Sequence, residues 1–176
     1  MAFDKWGGIN PSLAFVPYLF QSYAMTASDP HPSDLMTAGQ RLARGVCRHF
    51  ARLGFTTLEE FCPKRGKRVD VIALGPKGEI WIIECKSGVA DFRSDGKWDG
   101  YLEWCDRYFW AVDADFPTEI LPEDTGLIFA DDYDAEVIRM GPEVKLAPAR
   151  RKKITHDLAQ TAARRLARMR DPMGRY

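Results

Sequence analysis

The spacing of apolar residues changes along the chain, and each change predicts a different element. Between Ser33 and Gly54 apolar residues recur at helical spacing, which predicts a helix with Ser33 or Asp34 as its N-cap. The positions expected on its buried face are Leu35, Leu42, Val46, Phe50 and Leu53. The next three apolar segments have strand character: FTTLEEFCP is rich in β-branched and aromatic residues, RVDVIAL alternates, and EIWIIECKS is almost continuously apolar. The short turns KRGK and GPKG between them predict an antiparallel meander.

The second half of the chain repeats the alternation of helix and strand. KWDGYLEWCDR predicts a helix with Trp98, Leu102 and Cys105 in the core, and YFWAV predicts a strand. GLIFAD and AEVIRMG predict a strand pair around the polar segment DDYD. The chain ends on a basic amphipathic helix, ARRKKITHDLAQTAARRLARMR. We therefore expect one domain over residues 35–176, preceded by an N-terminal extension over residues 1–34.

Composition narrows the class of protein. The 176 residues suffice for one domain with a substantial core, and the four cysteines contain no CxxC pair, which favours reduced thiols over a zinc site. The apolar segment SLAFVPYLF is short and broken by Pro17, so neither a secretory signal nor a membrane span is predicted, and a cytoplasmic location is expected. The net charge is zero, but residues 145–176 hold ten Lys and Arg against two acids, which favours an anionic partner for this segment.

The candidate chemistry lies at the end of the third strand segment. Side chains two apart share one face of a strand, so Glu84 and Lys86 lie on the same face. If Asp70, in the preceding strand, faces the same side, two carboxylates and an ammonium converge at the end of the sheet. Carboxylate oxygens suit Mg²⁺, and a nearby lysine suits phosphodiester hydrolysis.

A structural interpretation of these residues competes with the catalytic one. The acid-x-Lys triplet is a weak signal, because chance produces about one in a chain of this composition, and it occurs here as ECK at 84–86, DGK at 95–97 and EVK at 143–145. Only ECK ends an apolar strand that follows a second strand carrying an acid. The alternative is an ion pair of Lys86 with Glu84 or Asp70 at the end of a sheet.

The same residues carry a resemblance to a known family. VD at 69–70, thirteen intervening residues, and ECK at 84–86 behind a long helix resemble the PD-(D/E)xK nuclease superfamily. The blocks GKRVDVIAL, IIECKSGVADFRSDGKWDGYLEWCDRYFWAV, LPEDTGLIFAD and LAPARRK resemble the MmcB-like bacterial DNA repair family. The resemblance implies an α/β (α+β) fold with a restriction-endonuclease-like core, in which helices flank a central mixed β-sheet.

It also implies roles for individual residues. Asp70, Glu84 and the backbone carbonyl of Cys85 would bind Mg²⁺ or Mn²⁺, with the Cys85 thiol in the core, and Lys86 would be the catalytic lysine. Many members carry a glutamate on the first helix, which this chain lacks. Glu60 on the following strand is the substitute candidate, or else it is an exposed acid facing Lys64 or Arg68.

Basic residues near these positions are candidate DNA contacts, although a solvated turn and a solvated helix face explain them equally. They are Lys64, Arg65, Lys67, Arg68, Lys97, Arg164, Arg165 and Arg168.

Two functions follow as expectations. The first is a metal-dependent nuclease that hydrolyses DNA in repair; the second is a repair accessory of the same fold that binds DNA or a repair protein but cuts weakly or not at all. The oligomeric state stays open.

Overall fold

A computed structural model describes residues 35–96 and 98–175 of the chain. Its helices are α1 (Ala38–Arg52), α2 (Val89–Ser94) and α3 (Pro148–Arg170), with 3₁₀ helices at Trp98–Trp104 and Thr118–Ile120. Its strands are β1 (Thr56–Lys64), β2 (Lys67–Leu74), β3 (Ile80–Cys85), β4 (Arg107–Val112), β5 (Gly126–Ala130) and β6 (Ala135–Arg139). The predicted order of helices and strands is confirmed, with α2 as an addition. The predicted extension over residues 1–34 lies outside the described residues.

The six strands form one mixed sheet in the order β1-β2-β3-β4-β5-β6. β1, β2 and β3 pair antiparallel, β3, β4 and β5 pair parallel, and β6 returns antiparallel to β5. The tight turns after β1 and β2 enforce antiparallel pairing, whereas the connection from β3 to β4 is long enough to cross over. The expected α+β class with a helix-flanked mixed sheet is confirmed, and this order is compatible with a restriction-endonuclease-like core.

Two apolar layers cover the sheet. On one face Val46 and Phe50 of α1 belong to a core with Val71, Ile83 and Phe109. On the other face Ile154 and Leu158 of α3 and Trp104 of the 3₁₀ helix pack in a core with residues that include Ile72, Ile82 and Trp110. The middle strands are buried on both faces, which explains their almost continuous apolar sequence.

Three details of the helices differ from the prediction. The N-cap of α1 is Thr37 rather than Ser33 or Asp34, and Leu35 and Leu53 are exposed because they lie outside the helix that packs on the sheet. Trp98–Trp104 is a 3₁₀ helix, whose three-residue period buries Tyr101 and leaves Leu102 exposed. The prediction of Leu102 as core assumed an α-helical period and was wrong, whereas Cys105 is buried as expected.

A buried ion pair ties α3 to the start of the sheet. Asp106 is 4% exposed, and its carboxylate accepts two hydrogen bonds from Arg151 at 2.6 and 2.7 Å. The same carboxylate accepts the backbone N–H groups of Ile80 at 2.7 Å and Leu146 at 2.9 Å. Burial opposes ionisation, but these hydrogen bonds outweigh it and lower the pKa of Asp106. The pair therefore joins the start of β3, the segment before α3, and α3 itself.

No helix among the described residues is long and apolar enough to cross a membrane.

Candidate active site

The predicted site residues line a cleft at the end of the sheet where β2 and β3 separate. The cleft has a volume of about 430 Å³ and is bordered by the first turn of α1, by β1, β2 and β3, and by α2 with the residues after it. Asp70, Glu84 and Lys86 all line it, and so does Glu60. The structure thus brings together in one cleft the four side chains that the sequence singled out for catalysis and metal binding.

Asp70 and Glu84 face each other across β2 and β3. The register pairs Val71 with Ile83, so the next step of the ladder sets Asp70 opposite Glu84. At this step the side chains replace the backbone ladder: the Asp70 N–H donates to Glu84 Oε1 at 3.2 Å, and the Cys85 N–H donates to Asp70 Oδ2 at 2.8 Å. The two carboxylates are therefore held in fixed positions by each other's strands.

Lys86 is anchored at the floor of the cleft. Its Nζ lies 2.7 Å from Asp95 Oδ2 and 4.0 Å from Glu84 Oε2, and 5.8 Å from the centre of the Trp110 ring. Only 7% of the Lys86 side chain and 15% of the Asp95 side chain are exposed. Asp95 was not predicted from the sequence, where its one signal is its place at the start of the triplet DGK, a weak pattern by itself.

Burial and neighbouring negative charges raise the pKa values of the two carboxylates. Burial, and then the charge of Asp70, raises the pKa of Glu84 to about 8. Burial also raises the pKa of Asp70, against the hydrogen bond from Cys85. Burial would lower the pKa of Lys86, but its hydrogen bond with Asp95 and the surrounding carboxylates outweigh burial and raise it. The cleft therefore favours a bound positive charge.

This electrostatic arrangement predicts an unusual pH dependence of stability. A carboxyl whose pKa rises on folding from 4.5 to about 8 makes the folded state bind more protons in that range. The stability that protonated Glu84 contributes is complete below pH 4.5 and is lost as pH rises through about 8. We expect the free energy of unfolding of the metal-free protein to fall over this window, as measured by urea unfolding with a chelator present. Glu84→Gln should flatten this dependence, and an unchanged slope in that variant would contradict the assignment.

Glu60 of β1 lies opposite Asp70 in the sheet, but its carboxylate binds an arginine. The pairs Glu59–Val71 and Phe61–Val69 place Glu60 opposite Asp70 in the β1–β2 register. Its carboxylate Oε2 lies 2.6 Å from Arg68 Nη1. This is the ion pair with Arg68 that was expected if Glu60 is an exposed strand acid rather than a metal ligand. Among the described residues, no three His, Cys, Asp or Glu side chains group closely enough to hold a metal ion by themselves. The role of Glu60 as a metal ligand stays a prediction.

The first helix, α1, contains no acidic residue and therefore offers no carboxylate to the cleft. Its first turn borders the cleft, but Gln40 is occupied by a capping box: the Gln40 N–H donates to Thr37 Oγ1 at 3.3 Å, and Gln40 Oε1 accepts from the Thr37 N–H at 2.9 Å. Cys85 directs its thiol into the core on the α1 side, where burial raises its pKa well above the ordinary value. Only its backbone carbonyl remains a candidate ligand.

Some of the candidate DNA-contacting side chains are exposed, and others contact groups of the protein itself. Lys64 and Arg65 are exposed at the β1–β2 turn, whereas Lys67 Nζ lies 5.3 Å from the centre of the Tyr101 ring. Arg164 is exposed on α3 and donates to Gln160 at 3.3 Å. Arg165 donates instead to backbone carbonyls of β1. Lys97 lies outside the described residues, and the DNA contacts stay predictions.

Comparison with known proteins identifies the family. A model of the family described as DNA repair protein MmcB-like matches residues 28–173. The chain belongs to the MmcB-like DNA repair protein family. It is also similar to a solved structure, the SPO1766 protein of unknown function from Silicibacter pomeroyi, with 64% sequence identity and a TM-score of 0.78 over 80% of this chain and 97% of that one. No curated protein matches the chain.

Membership in the MmcB-like family supports a role in DNA repair, and the donor set of the cleft fits a hard divalent cation. Half-buried Asp70 and buried Glu84 supply two carboxylates whose pKa values are raised by burial, so a cation would stabilise their ionised forms. Mg²⁺ commonly binds one or two carboxylates and keeps its remaining positions for water and substrate phosphate oxygens. These two carboxylates, with the remaining positions left to water and phosphate oxygens, therefore fit Mg²⁺.

Proposed function

We propose that this MmcB-like protein is a Mg²⁺- or Mn²⁺-dependent deoxyribonuclease of the PD-(D/E)xK superfamily that hydrolyses DNA phosphodiester bonds during repair. The observation that carries the proposal is the facing pair of half-buried Asp70 and buried Glu84, with Lys86 Nζ 4.0 Å from the Glu84 carboxylate. Two acids and a lysine at the open end of a sheet supply metal ligands and a positioned cation. An ordinary surface ion pair needs neither the burial nor the second carboxylate.

Each residue has a separate role in this proposal. Asp70, Glu84 and the Cys85 carbonyl would hold the ion, which when bound supplies Lewis acidity at the phosphoryl oxygen. Lys86 carries a positive charge that Asp95 holds in place, so its role is to stabilise charge that develops on the phosphate oxygens in the transition state. The exposed basic residues of the β1–β2 turn would contact the DNA backbone away from the reacting phosphate.

A second function is favoured by one specific observation. Only Asp70 and Glu84 are proposed as side-chain ligands from the described residues, because Gln40 caps α1 and the Glu60 carboxylate binds Arg68. A site with this reduced set could bind DNA without efficient cleavage, which would make the protein a repair accessory. The two functions differ in metal-dependent cleavage.

The decisive experiment combines cleavage with metal binding. Purified protein should cut at least one DNA in a panel of single-stranded, double-stranded, flapped and cross-linked substrates in millimolar Mg²⁺ or Mn²⁺, and not in a chelator. The same ions should raise its melting temperature, because a ligand that binds only the folded state stabilises it. Asp70→Asn should lose both effects.

The matched control is Asp91→Asn, which removes another acid that lines the cleft but is not a proposed ligand. It should keep most of the metal-induced stabilisation. DNA binding without cleavage of any substrate would favour the accessory function, and the absence of metal stabilisation in the wild type would refute the metal site.

A further inference from the structure

Arg165 of α3 forms a fork on the backbone of β1. Its Nη1 donates to the Glu59 carbonyl at 2.5 Å, and its Nη2 donates to the Glu60 carbonyl at 2.8 Å. A guanidinium that binds two successive carbonyls fixes the orientation of that peptide unit, because the fork geometry is rigid. These bonds direct the Arg165 head group to the protein backbone, although its place in a basic helix suggested DNA.

The backbone that Arg165 holds has an uncommon conformation. Glu60 has φ of 51°, and among the described residues it is the one non-glycine residue with positive φ. Such a conformation costs energy for a residue with a side chain, and it persists where the surroundings enforce it, often beside a functional site. The two hydrogen bonds from Arg165 are contacts that enforce it. The Glu60 side chain borders the cleft.

The carboxylate of Glu60 orients the one exposed cation of the cleft. Glu60 Oε2 lies 2.6 Å from Arg68 Nη1. Of the described residues that line the cleft, six are acids and two are cations, Arg68 and Lys86. Lys86 is 7% exposed and bound to Asp95, whereas 65% of the Arg68 side chain is exposed. Of these two cations, Arg68 is therefore the one that a phosphate can reach from solvent.

We propose that Arg68 is the phosphate-binding side chain of the cleft, and that Glu60 and Arg165 are positioning residues that present it to the DNA. The proposal rests on the function proposed above, in which DNA enters this cleft. A guanidinium has five N–H donors, so Arg68 can keep its bond to Glu60 while it binds a phosphate with the remaining donors. The relay runs from α3 through the β1 backbone to the cleft, and it involves neither Asp70 nor Glu84.

The experiment measures DNA affinity as a function of salt for Arg68→Met, Glu60→Gln and Arg165→Met, alone and combined. Arg68→Met should weaken binding roughly tenfold or more and reduce the salt slope by about one, as expected for one lost charged phosphate contact. Glu60→Gln and Arg165→Met should each reproduce part of that loss. Neither should weaken binding further once Arg68 is methionine, because both act through Arg68.

The adjacent Arg164 supplies the matched control. It lies on the same helix, is exposed, and donates to Gln160 rather than to the backbone of β1. Any loss in Arg164→Met should add to the loss in Arg68→Met. If Arg165→Met also adds fully to Arg68→Met, Arg165 contacts DNA by itself and the proposed relay is wrong.

Two further variants keep the test decisive if Arg165→Met folds poorly. Arg165→Lys keeps the charge but cannot form the fork, so it should bind DNA as weakly as Arg165→Met; recovery of wild-type affinity would overturn the proposal. Glu60→Gln should keep the full Mg²⁺-induced rise in melting temperature, and a loss of that rise would make Glu60 a metal ligand instead.

The outcomes also separate this proposal from the proposed function. If the wild type neither binds nor cuts DNA, the proposed function fails and this inference fails with it. If the wild type binds and cuts DNA but Arg68→Met binds it as tightly as the wild type does, the inference alone is refuted.

Discussion

DNA cleavage by Lys86→Ala should be slower than wild-type cleavage by about 100- to 1,000-fold, the usual effect of removing one positioned donor from a transition state. The Lys86 ammonium is buried between Asp95 and Glu84, so a water molecule that fills its place would not supply the lost positive charge. Metal-induced stabilisation should persist, because Lys86 binds no metal. Single-turnover cleavage assays and thermal melts with and without Mg²⁺ measure the two effects separately.

Two controls protect this prediction against an effect on folding. Lys64→Ala removes an exposed lysine from the β1–β2 turn and should leave the single-turnover rate at saturating protein close to that of the wild type. Lys86→Ala combined with Asp95→Ala removes the carboxylate that the single change leaves without its ammonium, so it should recover stability without recovering cleavage. Cleavage at the wild-type rate by Lys86→Ala would exclude Lys86 from the chemistry.

Asp106→Ala should lower the free energy of unfolding by about 3–5 kcal/mol, the range found when one partner of a buried ion pair is removed. The change leaves Arg151 without its bidentate partner and removes the acceptor for two backbone N–H groups, at Ile80 and Leu146. Ile80 begins β3, whereas Leu146 and Arg151 lie just before and within α3, so the loss of these bonds loosens α3 against the sheet. Urea unfolding followed by circular dichroism gives the free energy directly.

The exposed pair of Lys153 and Asp157 on α3 is the matched comparison. Asp157→Ala should lower the free energy of unfolding by no more than about 0.5 kcal/mol, because an exposed pair four residues apart on a helix contributes little.

Because the pKa of Asp106 is lowered in the folded state, the stability that ionised Asp106 contributes is present above its ordinary pKa and is lost as pH falls through the lowered value. A loss below about 1 kcal/mol in Asp106→Ala at neutral pH would contradict the structural role.

The local sequence was enough to predict most of the elements and to place Asp70, Glu84 and Lys86 together in the cleft. Strand alternation put Glu84 and Lys86 on one face, and the short GPKG turn required β2 and β3 to pair antiparallel. The register that sets Asp70 against Glu84 was a condition of the site hypothesis, and the structure meets it. The prediction from local sequence was wrong where the helical period was ambiguous. Trp98–Trp104 forms a 3₁₀ helix rather than an α-helix, so Tyr101 lies in the core and Leu102 is exposed.

The sequence by itself determined the strands, the meander and the proximity of the acids to Lys86, because these follow from periodicity and from turns of a few residues. Only the tertiary structure decided what each charged group binds. Arg165 reaches the carbonyls of β1 across more than one hundred residues of chain, and Asp95 takes the ammonium of Lys86 only because the segment after α2 folds back over the cleft. Such partners depend on packing between distant segments, and no local pattern encodes them.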